Sequence, residues 1–278
     1  MIKLFNKIIT CILLVGVYVP VTANAESKPK DYVFGVFPYL SASKMDKIYS
    51  PASQVLETSL SHGVKFRTSS SFKRFLAKLK SSYYDFALIQ PFWYPVAVDQ
   101  NGYLPLVRMK EPFVSLIMVI EDSPIKTVND LKGKVIATPP SFVPVVHMAK
   151  RALKDAGFSL GKDVKFKAFK TVESCFQQVM IGKADACVAP PFAPAVFEEA
   201  MNLKLRTILK SDAIPNLSLV VHPRIPEATR NRIAEELISW ADTENGRKLL
   251  SNMQTSEFVP IDDKEYDVVR QLLRGINK

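Results

Sequence analysis

The chain has 278 residues, of which 47% are hydrophobic and 23% charged, with a formal net charge of +10. That is the composition of an ordinary globular protein with room for one large or two medium domains. The basic residues are scattered (Lys65, Arg67, Lys73, Arg74, Lys78, Lys80, Lys162, Lys165 and Lys167), as on a solvated surface with a modest anion preference, and they argue against nucleic acid as a partner.

The first segment is a targeting signal. Lys3 and Lys7 form a basic start, Ile8 to Val21 is apolar, and Ala23-Asn24-Ala25 fits a small-x-small cleavage site. Residues 1–25 are therefore expected to be removed, leaving Glu26 as the new N-terminus. The apolar run is too short for a typical membrane span, and Cys11 lies inside it, unlike a lipoprotein anchor. With the two lysines gone, 35 basic residues face 27 acids, a net charge of +8. No later stretch is apolar enough for long enough to cross a membrane.

The mature chain alternates strands and helices. Tyr32–Phe37 is a buried strand, followed by a loop at 38–43 and a helix over about 44–61. Val64–Ser69 is a second strand. Phe72, Phe75, Leu76 and Leu79 then mark an amphipathic helix. Asp85–Ile89 is a third strand, ended by Gln90-Pro91, with a helix to about Asp99. Tyr103–Met109 and Phe113–Ile120 are further strands.

After Asp122 the pattern restarts with a short helix at Val128–Leu131. The stretch 133–157 then gives a strand (Val135–Thr138), a sharp loop held by Pro139 and Pro140, and a helix ended by Gly157. Ser141 is the expected N-cap, with Pro144 in the first turn. A helix start at the carboxyl end of a strand presents N–H groups and partial positive charge to an anion. Strands at 164–168, 184–189, 204–209 and 216–221 follow, with helices at 172–181 and 192–201. Helices at about 226–241, 244–252 and 263–274 complete the chain. This order predicts α/β architecture with mixed, mostly parallel sheets and flanking helices.

Asp85–Val96 (DFALIQPFWYPV) aligns without gaps with Asp185–Val196 (DACVAPPFAPAV). The repeat predicts two lobes of similar wiring whose helix starts face one cleft. Lobe one would comprise 26–116 and 219–278, and lobe two 117–218. The apolar strands 113–120 and 216–221 would be the crossover strands of the hinge. Open α/β sheets bind ligands beyond the carboxyl ends of their strands, and hinged lobes close around them.

Catalytic and metal signatures are weak. His62, His147 and His222 have no metal-type spacing, and no G-x-S-x-G occurs. Asp85 and Asp185 share one position of the repeat and read as turn or cap residues. Cys175 and Cys187 are either small buried hydrophobes or, in an oxidising compartment, a disulfide. No enzyme activity, metal or cofactor is expected.

The chain resembles the exported phosphate/phosphonate-type solute-binding proteins of ABC importers over essentially all of its mature length. The resemblance is carried by Gly35-Val36-Phe37-Pro38, Tyr84-Asp85-Phe86-Ala87 before Pro91, Gly102-Tyr103, the segment 124–134 (PIKTVNDLKGK), Gly182-Lys183-Ala184-Asp185-Ala186 and Ile214-Pro215-Asn216. It implies the two-lobed type II periplasmic-binding-protein fold, a periplasmic location, a monomer, and a membrane permease as partner. It places the family's serine/threonine-rich ligand loop at Ser141, Phe142 and Val143, where only Ser141 keeps a hydroxyl. The family's aspartate that can meet a ligand amine falls near Pro190, so an amino-phosphonate is disfavoured. Tyr94 is a match for a family tyrosine. With Tyr39, Trp93, Phe192 and Gln90 (the repeat partner of Pro190), these residues form the expected ligand site. The ligand implied is a phosphorus oxyanion such as phosphate, phosphite or a phosphonate. The same aromatic cleft also suits a lipid or other largely apolar molecule, and the same fold also suits a sensory protein that presents its ligand to a receptor.

Overall fold

The computed structural model describes residues 30–276; the expected signal peptide and its cleavage site lie outside the described residues. In chain order the elements are β1 (Tyr32–Val36), α1 (Ala42–Leu60), β2 (Val64–Arg67), α2 (Phe72–Lys80), β3 (Phe86–Ile89), α3 (Tyr94–Asn101), β4 (Leu104–Met109), β5 (Leu116–Ile120), β6 (Val135–Thr138), α4 (Pro144–Asp155), β7 (Lys165–Ala168), α5 (Val172–Met180), β8 (Ala186–Ala189), α6 (Ala193–Met201), β9 (Leu205–Lys210), β10 (Ser218–Val221), α7 (Glu227–Ser239), α8 (Glu244–Asn252), β11 (Phe258–Pro260) and α9 (Asp267–Ile276). Each central strand is short and buried on both faces (β3, β8 and β10 completely), which is why the sequence shows apolar runs there in place of alternation. β11 has no counterpart in the sequence reading. It is three residues long, ends in Pro260 and pairs only with β4 at the sheet edge, where proline is tolerated.

The strands form two sheets, ordered β11-β4-β10-β3-β1-β2 and β7-β6-β8-β5-β9. β1 pairs in parallel with β2 and β3, and β6 with β7 and β8. The rest of each sheet is antiparallel, more than the strand–helix alternation predicts. The cause is the crossing chain: β5 enters the second sheet against β8, and β10 returns to the first against β3. The two crossings touch before they reach the sheets. Phe113 and Ile214 exchange both backbone hydrogen bonds, at 2.8 and 2.9 Å, and Ser115 N–H donates to Ser211 Oγ at 2.9 Å. The two crossings are thus bridged to each other just before β5 and just before β10 begin.

The internal repeat is deeper in the structure than in the sequence. Ser71 caps α2 by accepting the N–H of Arg74, and one hundred positions later Thr171 caps α5 by accepting that of Ser174. Each helix has nine residues. Ser82 and Gly182 both adopt positive φ (55° and 68°) in the turn that follows. Asp85 then accepts the N–H of Val33 at 2.7 Å, and Asp185 that of Val135 at 2.8 Å. Both aspartates brace the first strand of the parallel part of their sheet, as turn residues do. Near this brace Gly35 lies against the ring of Tyr84, where an added Cβ would come within 2.5 Å of a ring carbon.

Cys175 on α5 and Cys187 on β8 are fully buried free thiols in one apolar cluster. Burial, with Cys175 beside it, pushes the Cys187 thiol up. The C-terminal helix is tied back to α3 by charge and ring contacts. Tyr94 stacks on Tyr266 at 3.6 Å and donates to Asp263 at 2.8 Å. Arg270 holds both Asp263 and Asp99, each at 2.8 Å. The hydrogen bond from Arg270, and then that from Tyr94, keep the Asp263 carboxyl below its ordinary range despite some burial.

A depressed folded pKa contributes stability above the unfolded value near 3.9, and that stability is lost as pH falls through the folded pKa. Asp263 is half exposed, so the discounted effect is small. Asp263→Asn is expected to cost about 0.5–1 kcal/mol at pH 7 in urea denaturation. The gap from the wild type should close as pH falls through the acidic range below 4; a gap independent of pH would show that packing, not charge, holds α9.

Candidate functional site

The carboxyl ends of β1, β2 and β3 meet those of β6, β7 and β8 across one cavity of about 940 Å³. The topology dictates this: each parallel strand feeds a helix, so the helix starts gather at the strand ends. Thr68 to Ser71 at the start of α2, and Thr171 at the start of α5, line it from opposite lobes. Among the lining cations are Lys44, Lys73 and Lys170, with Glu111 and Glu173 among the lining anions. Glu111 is already committed. It accepts the Ser256 N–H at 2.7 Å and a bond from the Thr255 hydroxyl, and these outweigh burial to hold its carboxyl below the ordinary range.

Six of the nine expected site residues line this cavity: Tyr39, Gln90, Phe142, Val143, Pro190 and Phe192. Three do not. Ser141 is exposed and caps nothing; the N-cap of α4 is Val143, with Pro144 at the first helical position. The loop explains the shift. Val143 N–H donates to the Pro140 carbonyl at 3.1 Å, closing a turn that carries Ser141 away from the helix axis. Pro139, Pro140 and Pro144 bring no N–H of their own. The start of α4 is therefore poorer in donors than the sequence implies. Trp93 is buried in the lobe-one core, stacked on Phe75 at 5.7 Å. Tyr94 is buried in its contacts with Tyr266 and Asp263. The short 3₁₀ turn Pro91–Trp93 carries both rings inward, away from the cavity wall in which the sequence reading expects them.

Sequence reasoning missed the start of α2. The run Thr68-Ser69-Ser70-Ser71 is legible in the sequence as four hydroxyls before an amphipathic helix, and it is the lobe-one counterpart of the loop ending in Thr171. Gln90 is 3% exposed, and its Nε2 meets no acceptor in the protein; nor has Thr68 Oγ1 a partner. A buried polar group left unmade costs about 1–3 kcal/mol; Arg206 Nε and Ser218 Oγ, away from the cavity, are likewise unpartnered.

Aromatic contacts join the lobes around the cavity. Tyr39 packs on Phe192 with centroids 5.5 Å apart, and Phe72 meets Phe142 edge-on at 5.6 Å. Lys44 lies 5.9 Å from the Phe197 ring centroid. Burial pushes the Tyr39 phenol up to about 12, although its hydroxyl shares a 2.9 Å hydrogen bond with Tyr49. Tyr39 is thus a neutral wall, not a phenolate base. His147 is held low by burial and then by Lys150, and it faces Phe92 at 5.9 Å. Among the described residues no cluster of His, Cys, Asp or Glu is built to hold a metal, and no helix is long and apolar enough to cross a membrane.

Two lobes on a bridged hinge, with a cavity at the facing strand ends, define a hinged solute-binding protein. Residues 34–266 match the family described as the periplasmic substrate-binding protein of phosphonate ABC transporters, and the chain belongs to that family. Solved structures share the fold at low identity. The binding-protein component of an ABC phosphonate transporter from Pseudomonas aeruginosa is 17% identical, with a TM-score of 0.72, covering 87% of this chain and 84% of its own. A Prochlorococcus marinus protein in complex with methylphosphonate is 15% identical, with a TM-score of 0.76 and coverage of 90% and 99%. The periplasmic aliphatic sulphonate binding protein of Escherichia coli is 16% identical, with a TM-score of 0.63 and coverage of 87% and 90%. The family is one of transport proteins, not of enzymes.

The Tyr39–Phe192 contact should favour the closed arrangement by roughly 0.5–1.5 kcal/mol. Phe192→Ala is expected to shift the open-to-closed ratio about two- to tenfold toward open, read as a larger radius of gyration in small-angle scattering. An unchanged radius would mean that the contact does not govern closure.

Proposed function

We propose that the chain is exported, loses residues 1–25 and works in the periplasm as a monomer. There it captures an anionic solute between its lobes for the permease of an ABC importer. The observation that carries this reading is the opposition of two helix starts. Ser71 and Thr171, at equivalent positions of the repeat, bring the positive ends of α2 and α5 to one cavity, where an anion gains from both, less at α5, whose first turn holds Glu173. Closure follows from contact: the solute touches both lobes only when they are together, so it shifts the population to the closed form. The segments 110–115 and 211–217 are the hinge.

A phosphorus oxyanion is the head group proposed, supported by the family and by the methylphosphonate complex of a protein with the same fold. Pro190 offers no carboxylate for a ligand amine, which disfavours amino-phosphonates. A second reading, an apolar ligand, is supported by the cavity wall, where Phe142 is 54% exposed. Transport is preferred to sensing because the family is defined by ABC transporters.

The test is a thermal-shift screen of residues 26–278 against phosphate, phosphite, methylphosphonate, sulfate and a lipid extract. A ligand at a hundred times its Kd adds about 2.7 kcal/mol, or roughly 5–11 °C for a chain of this size. A shift with a phosphorus oxyanion and none with sulfate is the expected result. A shift with the lipid extract alone would overturn the oxyanion reading.

A further inference from the structure

Residues 26–278 contain two cysteines, Cys175 and Cys187, and the fold brings them to one spot. Cys187 lies within β8, where its neighbours in register are Met118 on β5 and Ala137 on β6. These three side chains belong to the cluster that α5 covers, and α5 enters it with Cys175, Phe176 and Val179. Cys175 therefore stands on the face of α5 that meets the sheet, and Cys187 on the face of the sheet that meets α5. Both are fully buried free thiols, and their side chains are hydrogen-bonded to each other.

Close approach follows from the residues around them. Ala137, Ala184, Ala189 and Ala193 supply much of the rest of the cluster, so little bulk holds the helix off the strand. A disulfide needs Cα atoms about 4.4–6.8 Å apart, which a helix over a sheet reaches only where the intervening side chains are small. The chain between the two positions is short and fixed. α5 ends at Met180, Gly182 turns the backbone with positive φ, and Asp185 anchors the turn through the Val135 N–H at 2.8 Å. The folded pair is chemically quiet, because burial holds the Cys187 thiol neutral and the attacking species is the thiolate. Oxidation therefore belongs to the stage before α5 closes over β8, in a compartment where disulfides persist.

We propose that Cys175 and Cys187 close to an intramolecular disulfide that staples α5 to β8. The oxidant is the disulfide form of a small thiol. One cysteine thiolate attacks it, releasing one thiol and leaving a mixed disulfide. The second cysteine thiolate then displaces the other thiol and forms the Cys175–Cys187 bond. Two cysteine thiols are oxidised, one external disulfide is reduced to two thiols, and the two cysteine protons end on the leaving sulfurs. The staple acts on the lobe-two wall of the cavity. Thr171, one helical turn before Cys175, and Pro190, three residues after Cys187, both line it. The bond fixes these two segments relative to each other and leaves lobe one untouched.

The test is to refold reduced residues 26–278 from urea in a buffer of reduced and oxidised glutathione, denature the product again, alkylate its free thiols and weigh the intact chain. The expected product is a monomer with no alkylated cysteine, which takes up two alkyl groups only after reduction. With two cysteines present, a monomer that has neither a free thiol nor attached glutathione carries this bond and no other. The loop closed is 13 residues long, counting both cysteines, so the bridged form should melt roughly 6–12 °C above the reduced form. Two alkylated thiols, glutathione attached to them, or a disulfide-linked dimer would overturn the pairing. A bridged form that melts no higher than the reduced one would overturn the staple. The same alkylation applied to protein taken from cells separates this proposal from the export reading. A bond that forms on refolding but is missing in cells would leave the pairing standing and overturn export.

Discussion

Two backbone contacts fix the geometry on which the site depends. Asp85 takes the N–H of Val33, and Asp185 that of Val135. Each aspartate closes the turn after its helix and locks the next strand in parallel register beside the first. Once that register is set, the carboxyl ends of the three parallel strands are level, and the loops that follow must open on one side. The Asp85 contact is reinforced by Arg224, which donates to its other oxygen at 2.7 Å, and the Asp185 contact by the nearby Lys134 at 3.7 Å. A carboxylate at this position accepts where an apolar side chain would leave a backbone donor unpaired. The two lobes therefore share a brace as well as a fold, and the crossing at Phe113 and Ile214 only has to present them face to face.

The lobes differ at the loop each brace exposes. In lobe one the loop before α2 is all hydroxyls and the first turn of the helix, after Phe72, carries two cations. In lobe two the loop before α4 is dominated by proline, and the loop before α5 contributes Thr171 and Lys170. Proline fixes the chain cheaply but removes the donors that make a helix start useful to an anion. Rigidity and recognition have thus been divided between the lobes. The phenyl ring of Phe142, carried on the proline-held loop, reaches Phe72 at the start of α2, so the two loops meet across the cleft through apolar rings.

Most of the fold was legible in the sequence because short apolar runs alternate with amphipathic helices and are separated by clear stop signals. The lobe pairing was legible in Asp85–Val96 and Asp185–Val196, where eight or more positions keep their character. It was not legible further upstream, because Ser71 and Thr171 share a role without sharing an identity, and Ser82 and Gly182 share a φ that sequence does not display. The site was only partly legible. Tyr39, Gln90, Phe142, Val143, Pro190 and Phe192 follow from their place after a strand. Ser141 lies off the cavity because local capping preference is outweighed by the turn that Pro140 and Val143 close. Trp93 and Tyr94 point into the lobe-one core because sequence does not display the side of a 3₁₀ turn on which a ring falls. The serines before α2 are visible in the sequence, but a hydroxyl-rich run is common at helix starts, and only the fold places it at the cavity.

Closure poses a problem that these features resolve together. The aromatic pairs across the rim, Tyr39 with Phe192 and Phe72 with Phe142, favour closing whether or not a solute is present, by roughly 1–3 kcal/mol for the two. An importer that responded to closure alone would then spend cycles on an empty carrier. Opposing the aromatics is charge: Lys44 and Lys73 from one lobe and Lys170 from the other line a cavity into which α2 and α5 also direct their positive ends, and Glu111 and Glu173 offset this only in part. Bringing these together without an anion is costly at the reduced dielectric of a partly enclosed site. An anion reverses the sign of that term while leaving the aromatic term as it was. The solute need then supply only the small remaining difference to move the population, and the same arrangement discriminates. A neutral apolar molecule of the right shape fills the cavity but leaves the repulsion in place.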